Sequence, residues 1–291
     1  MDFDAKHKSY SDFFESELKE YLNSQKTSVP KDLFDAVVYA TEGGGKRIRP
    51  VLCYAVADML GLDKEEVKYF ALAIEFIHSY SLIHDDLPCM DDDDFRRGKP
   101  SVHKRFGEAT AVLTGDALLN LAAETCLKKP DFSEKDVSAM KILFYCAGMR
   151  GMIKGQVLDL QNEKNSIADE NALTEIYINK TAKLIAAPIL ISSVLSGKDY
   201  FEKLSEYANA LGVLFQITDD ILDEEGDFSV IGKTPKKDEK ADKLTAIKIY
   251  GVNGAKKKAE ELYVTCKSIL AEIPNSDFLS KFTDATYERK K

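Results

Sequence analysis

The sequence predicts an all-α fold. Apolar residues recur with helical spacing along nearly the whole chain, and period-two alternation is scarce. Helices are expected over roughly 9–24, 31–42, 47–60, 64–86, 101–127, 133–162, 171–196, 199–225, 238–250, 253–270 and 276–287. The breaks between them have local causes. Pro50 and Pro100 sit near helix starts, Gly61 follows an end, and Asp199 can cap an N-terminus. No Gly/Ser-rich or Pro-rich linker and no fixed-period repeat interrupts the series, so one domain spanning 1–291 is expected. Two helices are apolar around most of their circumference and belong inside a bundle. The first carries Phe70, Ile74, Ile77, Tyr80 and Ile83, the second Leu204, Leu211, Leu214, Ile217 and Leu222.

Composition narrows the class. Of 291 residues, 44% are hydrophobic and 31% charged, which excludes a disordered chain. Lys and Arg number 40 against 49 Asp and Glu, a net charge of −9 that argues against nonspecific nucleic-acid binding. The five cysteines are odd in number and lack C-x-x-C spacing, so buried, reduced thiols and a cytoplasmic location are expected. The N-terminal MDFDAKHKSYSDFF has no signal-peptide pattern. The stretch Ile185 to Leu195 contains Pro188 and is too short for a membrane span.

Both apolar helices carry aspartates near their C-terminal ends. The first set is Asp85, Asp86 and Asp91 to Asp94, followed by Arg96 and Arg97; the second is Asp219, Asp220 and Asp223. Asp219 and Asp223 share a helix face with Gln216 on the same stripe. Carboxylates clustered at the negative end of a helix dipole call for a cation. All-oxygen donors without Cys or His at ligand spacing favour Mg²⁺ over Zn²⁺. Asp92 to Asp94 by themselves read as a solvated loop, and Arg96 stands where a calcium-binding EF-hand counted from Asp91 needs glycine. Arginines beside metal-binding carboxylates suit a diphosphate.

A second anion-binding feature precedes these. Gly43 to Gly45, Lys46 and Arg49 form a glycine-rich turn entering a helix, without Walker spacing. Lys180–Thr181, Lys233–Thr234 and Lys243 are further candidates, and His78 is a lone histidine in an apolar helix.

Taken together, GGGKRIRP, IHSYSLIHDDLPCMDDDDFRRGKPSVH, GQVLD at 155–159, Lys180–Thr181 and FQITDDILD at 215–223 occur in the order found in the trans-isoprenyl diphosphate synthases. The chain resembles that family over most of its length, and most of all its bacterial farnesyl diphosphate synthases. The resemblance implies an isoprenoid-synthase-like helical bundle around a central apolar cavity, usually a homodimer. It implies condensation of isopentenyl diphosphate with dimethylallyl or geranyl diphosphate. It also implies Mg²⁺, three ions per site, on Asp85, Asp86, Asp91, Asp219, Asp220 and Asp223. By position, Lys46, Arg49, His78 and Arg97 match the isopentenyl diphosphate site. Arg96, Lys180, Thr181, Gln216, Lys233 and Lys243 match the allylic diphosphate site. Asp85, Asp86, Asp91, Arg96, Lys180 and Asp219 are the expected catalytic set. Gln156 and Asp159 are expected to line the cavity, and the basic tail Tyr287 to Lys291 to fold over the site. Tyr80 and Ser81, five and four residues before Asp85, are the expected chain-length determinants, and their pattern implies a fifteen-carbon product. Competing readings are a geranylgeranyl diphosphate synthase, a terpene cyclase and a noncatalytic regulatory subunit. The last would be expected to lack carboxylates in one motif, whereas both sets are intact here.

Overall fold

A computed structural model describes residues 2–42, 44–165, 169–225 and 243–289. The helices are α1 (Phe3–Gln25), α2 (Lys31–Thr41), α3 (Ile48–Met59), α4 (Lys64–Asp85), α5 (Val102–Phe106), α6 (Glu108–Leu127), α7 (Glu134–Ala147), α8 (Met152–Asn165) and α9 (Glu170–Ile176). A π-helical turn, Tyr177–Ala182, leads into α10 (Lys183–Ser196), α11 (Phe201–Glu225), α12 (Ala246–Ala271) and α13 (Asp277–Tyr287). Several starts are capped as their sequences dictate. Asp63 accepts from the Glu65 N–H at 2.9 Å, Ser133 and Asp136 close a capping box on α7, and Asp169 accepts from the Ala172 N–H at 2.9 Å.

The apolar helices lie inside, as their composition requires. α4 packs against α3, α6 and α10, while α11 packs against α10, the π turn, α12 and α13. α10 therefore joins the two halves of the core. Phe70, Ile74, Phe76 and Ile77 of α4 are fully buried, as are Leu204, Tyr207, Leu211 and Leu214 of α11. The stretch Glu170–Ser196 is long and apolar enough to cross a membrane, but 67% of its apolar part lies inside the fold, where it serves as core.

Several details depart from the expected elements, among them the start of α1 at Phe3 and the π turn within the helix expected over 171–196. The helix expected over 101–127 breaks at Gly107, where φ is 88°. That expected over 133–162 breaks between Ala147 and Met152. The two expected over 238–250 and 253–270 become α12, kinked at Gly251, and the start of the former falls outside the described residues. A short hairpin pairs β1 (Phe95–Arg96) with β2 (Lys99–Pro100). Its turn residues Arg97 and Gly98 both have positive φ, at 53° and 72°, the backbone signature of a primed turn. An arginine in the first of these positions hides the turn from sequence rules.

Four cysteines are buried as expected, whereas Cys89 is exposed in the turn after α4. Arg47, which carried no assigned role, is 3% exposed and φ is 47°. It donates to Glu75 at 2.7 Å, Glu15 at 2.6 Å and the Thr41 carbonyl at 2.6 Å, pinning the turn before α3 to α1, α2 and α4. Replacing Arg47 by Met strands the buried Glu75 carboxylate. The expected loss is about 3–5 kcal/mol, the usual cost of removing one partner of a buried pair, read as a lower denaturant midpoint.

Candidate active site

The end of α4 is a tight recoil of the chain. The Asp85 carbonyl accepts from the Asp91 N–H at 2.9 Å, and the Asp86 carbonyl from the Asp93 N–H at 3.1 Å. Asp91 thereby returns to the vicinity of Asp85. Withdrawal from water raises the Asp85 carboxyl above its ordinary range; Lys180 pulls it back and Asp91 pushes it further up. Asp86 turns elsewhere. It is 2% exposed and receives the Arg96 Nε on both oxygens, at 2.9 and 3.2 Å, so these two residues neutralise each other.

From Asp85 the contacts run across three more elements. Gln156 of α8 donates to Asp85, and Asp159, one turn along α8, accepts from Lys180 Nζ at 2.5 Å. The next residue of the π turn, Thr181, donates to Gln216 Oε1 at 2.7 Å, and Gln216 Nε2 donates to Asp220 at 3.0 Å. The two aspartate patches thus flank the same π turn. That turn needs a close approach: a Cβ on Gly155 would lie 2.1 Å from the Lys180 nitrogen, so only glycine lets α8 pack there. This is the physical content of the GQVLD segment. A π turn within an α-helix is itself a frequent mark of function.

Asp220 is fully engaged. Its Oδ2 accepts from the Ala246 N–H at 2.7 Å and from the Tyr177 hydroxyl, and it is 7% exposed. Asp219, its neighbour, faces Arg289 of the C-terminal segment at 2.6 Å, and Arg289 also stacks over Phe215 at 4.8 Å. Asp223 is exposed at the end of α11. Lys243 donates to Asp91 at 3.0 Å and lies 3.9 Å from Glu163.

A row of cations lies beside the second patch. Arg97 Nη1 donates to the Gly44 carbonyl at 2.6 Å, clamping the hairpin onto the glycine-rich turn. A Cβ on Gly45 would meet the Arg97 guanidinium carbon at 3.1 Å, and φ there is 138°, so this position suits glycine twice over. Burial, opposed by Glu75 and aided by Arg97, lowers Arg49 to about 10, and its buried Nε has no hydrogen-bond partner. Desolvation and then Arg289 depress Lys46, while Asp219 acts in the opposite direction. His78 is held well below its usual value by burial and by Arg49, Arg97, Arg96 and Arg47, which keeps it neutral. Cations depressed by burial and by one another, with an orphaned donor among them, fit an anion. Close-set carboxylates of which one is raised by burial fit a divalent cation.

A pocket of about 40 Å³ beside the Asp86–Arg96 pair is lined by Tyr39, Ser79 and Arg97. A groove of about 700 Å³ on α7, α10 and α11 contains none of the expected site residues. Charge and hydrogen bonding, not the size of a hollow, locate the site.

A model of the polyprenyl synthetase family matches residues 30–275. The chain belongs to this family. It is 47% identical over 247 residues to a farnesyl diphosphate synthase of Haemophilus influenzae, covering 83% of each chain. It is 43% identical over 238 residues to geranylgeranyl pyrophosphate synthase 4 of Arabidopsis thaliana, covering 80% of this chain and 64% of that one. Among solved structures, the geranyltransferase of Helicobacter pylori, complexed with magnesium and isoprenyl diphosphate, matches with a TM-score of 0.80 and 33% identity over 95% of this chain and 96% of that one.

In this polyprenyl synthetase the expected site residues fall into two groups. Arg49, His78 and Arg97 gather by one another, Lys46 lies beside Asp219 and Arg289, and Asp85, Asp91, Lys180, Thr181, Gln216 and Lys243 gather around the π turn. Lys233, Lys290 and Lys291 lie outside the described residues. Gln156 and Asp159 hold Asp85 and Lys180 respectively. Ser81, one helical turn before Asp85, lies on its stripe. Tyr80 turns toward α6: its ring meets His84 edge-on at 5.9 Å, and His84 approaches the Val112 carbonyl of α6 at 3.1 Å. Glu75, Tyr177 and Glu163 were missed by sequence reasoning, since nothing local distinguishes them from ordinary helical residues.

Burial lifts the Asp220 carboxyl to about 6 despite three donors pulling it down. The folded chain therefore holds this proton more tightly than the unfolded chain. In metal-free protein its contribution to stability is present at acid pH and lost as pH rises from about 4 through 6. The melting temperature of the wild type relative to Asp220→Asn, measured in chelator, should fall across that interval.

Proposed function

We propose that this chain is a farnesyl diphosphate synthase that joins isopentenyl diphosphate to dimethylallyl diphosphate and then to geranyl diphosphate. The observation that carries this reading is the convergence of two aspartate patches on one π turn, beside a separate row of cations. Two anion-binding sites side by side are what a condensation of two diphosphates requires.

Asp85 and Asp91 from one patch, with Asp219 and Asp223 from the other, are the proposed Mg²⁺ ligands, three ions in all. Asp86 and Asp220, already saturated, are assigned to orienting Arg96 and Gln216. Bound Mg²⁺ would neutralise the allylic diphosphate and so favour its departure. Lys180, Thr181, Gln216, Lys243 and Arg96 orient that diphosphate, with Lys233 assigned to the same role. Lys46, Arg49, Arg97 and neutral His78 hold isopentenyl diphosphate. The allylic carbon–oxygen bond breaks with its electron pair going to the diphosphate, and the isopentenyl double bond attacks the resulting cation. One proton then leaves to the departed diphosphate. Water has to be kept from that cation. Tyr80 is assigned to limiting product length; it lies about 7.5 Å along the helix axis from Asp85.

The geranylgeranyl reading rests on the 43% relative and differs only in product. Incubation with dimethylallyl diphosphate, isopentenyl diphosphate and Mg²⁺ should yield a fifteen-carbon product by chromatography. A chelator should abolish it, and Asp85→Ala should lower kcat by about 10²–10³-fold, the scale of losing one preorganised electrostatic group. Tyr80→Ala should lengthen the product. Turnover without divalent metal overturns the mechanism, a twenty-carbon wild-type product favours the alternative, and an unchanged Tyr80→Ala profile removes Tyr80 from this role.

We place the enzyme in the cytoplasm, on its five free thiols. We also propose a homodimer through α6 and α8. These helices expose Leu113 (61%), Ile153 (43%) and Val157 (48%), with Met149 (82%) just before α8. Light scattering should report a dimer for the wild type and a monomer for Leu113→Lys combined with Met149→Glu; identical masses dismiss this interface.

A further inference from the structure

The turn that brings Asp91 back toward Asp85 continues outward, and its exposed side carries a second set of ligands. A carboxylate oxygen each from Asp92 and Asp94 and a ring nitrogen of His103 lie within 4.8 Å of one another. The two aspartates are exposed, but His103, in the first turn of α5, is only 6% exposed. Its Nδ1 pairs with the Ser101 hydroxyl at 3.1 Å, and its buried Nε2 has no hydrogen-bond partner. A buried ring nitrogen without a partner is costly unless something else satisfies it. A hydrogen bond fixing one ring nitrogen while the other is left over is the arrangement that orients a metal-ligating histidine. Lys104 pairs with Asp94 at 2.8 Å, so a cation already balances part of the charge here.

We propose that Asp92, Asp94 and His103 form a non-catalytic site for a first-row divalent cation of the zinc class. Two carboxylates and one imidazole are a mixed set that suits zinc better than magnesium, which prefers oxygen alone. Ligands about 2.1 Å from an ion stand roughly 3–3.5 Å apart, so the set has to close slightly. The exposed aspartates can make that movement while the histidine stays fixed. Three protein ligands leave further positions to water. This site is separate from the proposed catalytic one: Asp91 faces Lys243 and Asp86 faces Arg96, whereas Asp94 faces Lys104. An ion there would tie the Asp91–Asp94 turn to the start of α5.

The test is calorimetric titration of the full chain with ZnCl₂ in excess MgCl₂, with Cys89→Ser as background because that thiol is exposed in the same turn. One Zn²⁺ per chain is expected. His103→Asn keeps a polar group near Nδ1 and deletes Nε2; it should weaken binding at least about tenfold, the lower end of what even supporting-shell changes cost. Asp94→Asn, a surface change that spares the core, should do the same with its melting temperature retained. Asp85→Asn should leave this zinc affinity intact. No zinc uptake, uptake unchanged by Asp94→Asn, or uptake lost in Asp85→Asn overturns the proposal.

Discussion

A carboxylate withdrawn from water has to be met by a cation or by hydrogen-bond donors, and that requirement organises this molecule. Glu75 is met by Arg47, Asp86 by Arg96, Asp159 by Lys180, and Asp220 by Tyr177, Gln216 and the Ala246 N–H. In most of these the partner comes from another element. Neutralising each charge therefore also fastens α4 to the turn before α3 and to the hairpin, α8 to the π turn, and α11 to the start of α12. The site and the helix packing around it are one network, not a site placed on a finished scaffold.

The paired aspartates illustrate how helix geometry divides labour. Neighbours on a helix point about 100° apart. In Asp85–Asp86 and again in Asp219–Asp220, the second residue turns into protein and is saturated, while the first faces Gln156 and Lys180 or Arg289. A double aspartate is thus a compact way to anchor one carboxylate in protein while its neighbour faces another element. Glycines serve the same end, since Gly155 lets α8 come close enough for Asp159 to reach Lys180.

Much of this was legible in the residues. Helical periodicity located most elements within a few positions, because a buried stripe leaves the same mark wherever the helix packs. The breaks at Gly107 and after Ala147 were not legible, because apolar spacing continues across them. The hairpin was hidden by an arginine at positive φ, a conformation held by the Arg97 contact to Gly44, 53 residues away. Arg47 looked like one more basic residue of the glycine-rich turn, whereas its partners lie on α1 and α4.

The sequence by itself determined the fold class, the family, and which residue types crowd the site, because these depend on local spacing and on side-chain chemistry that does not change on folding. Only the tertiary structure decided how the charges are shared: that Asp86 and Asp220 are saturated, that Arg289 reaches Asp219, and that Tyr80 leans toward α6 while Ser81 follows Asp85. Partners at long range are fixed by how helices meet, and no stretch of consecutive residues contains that information.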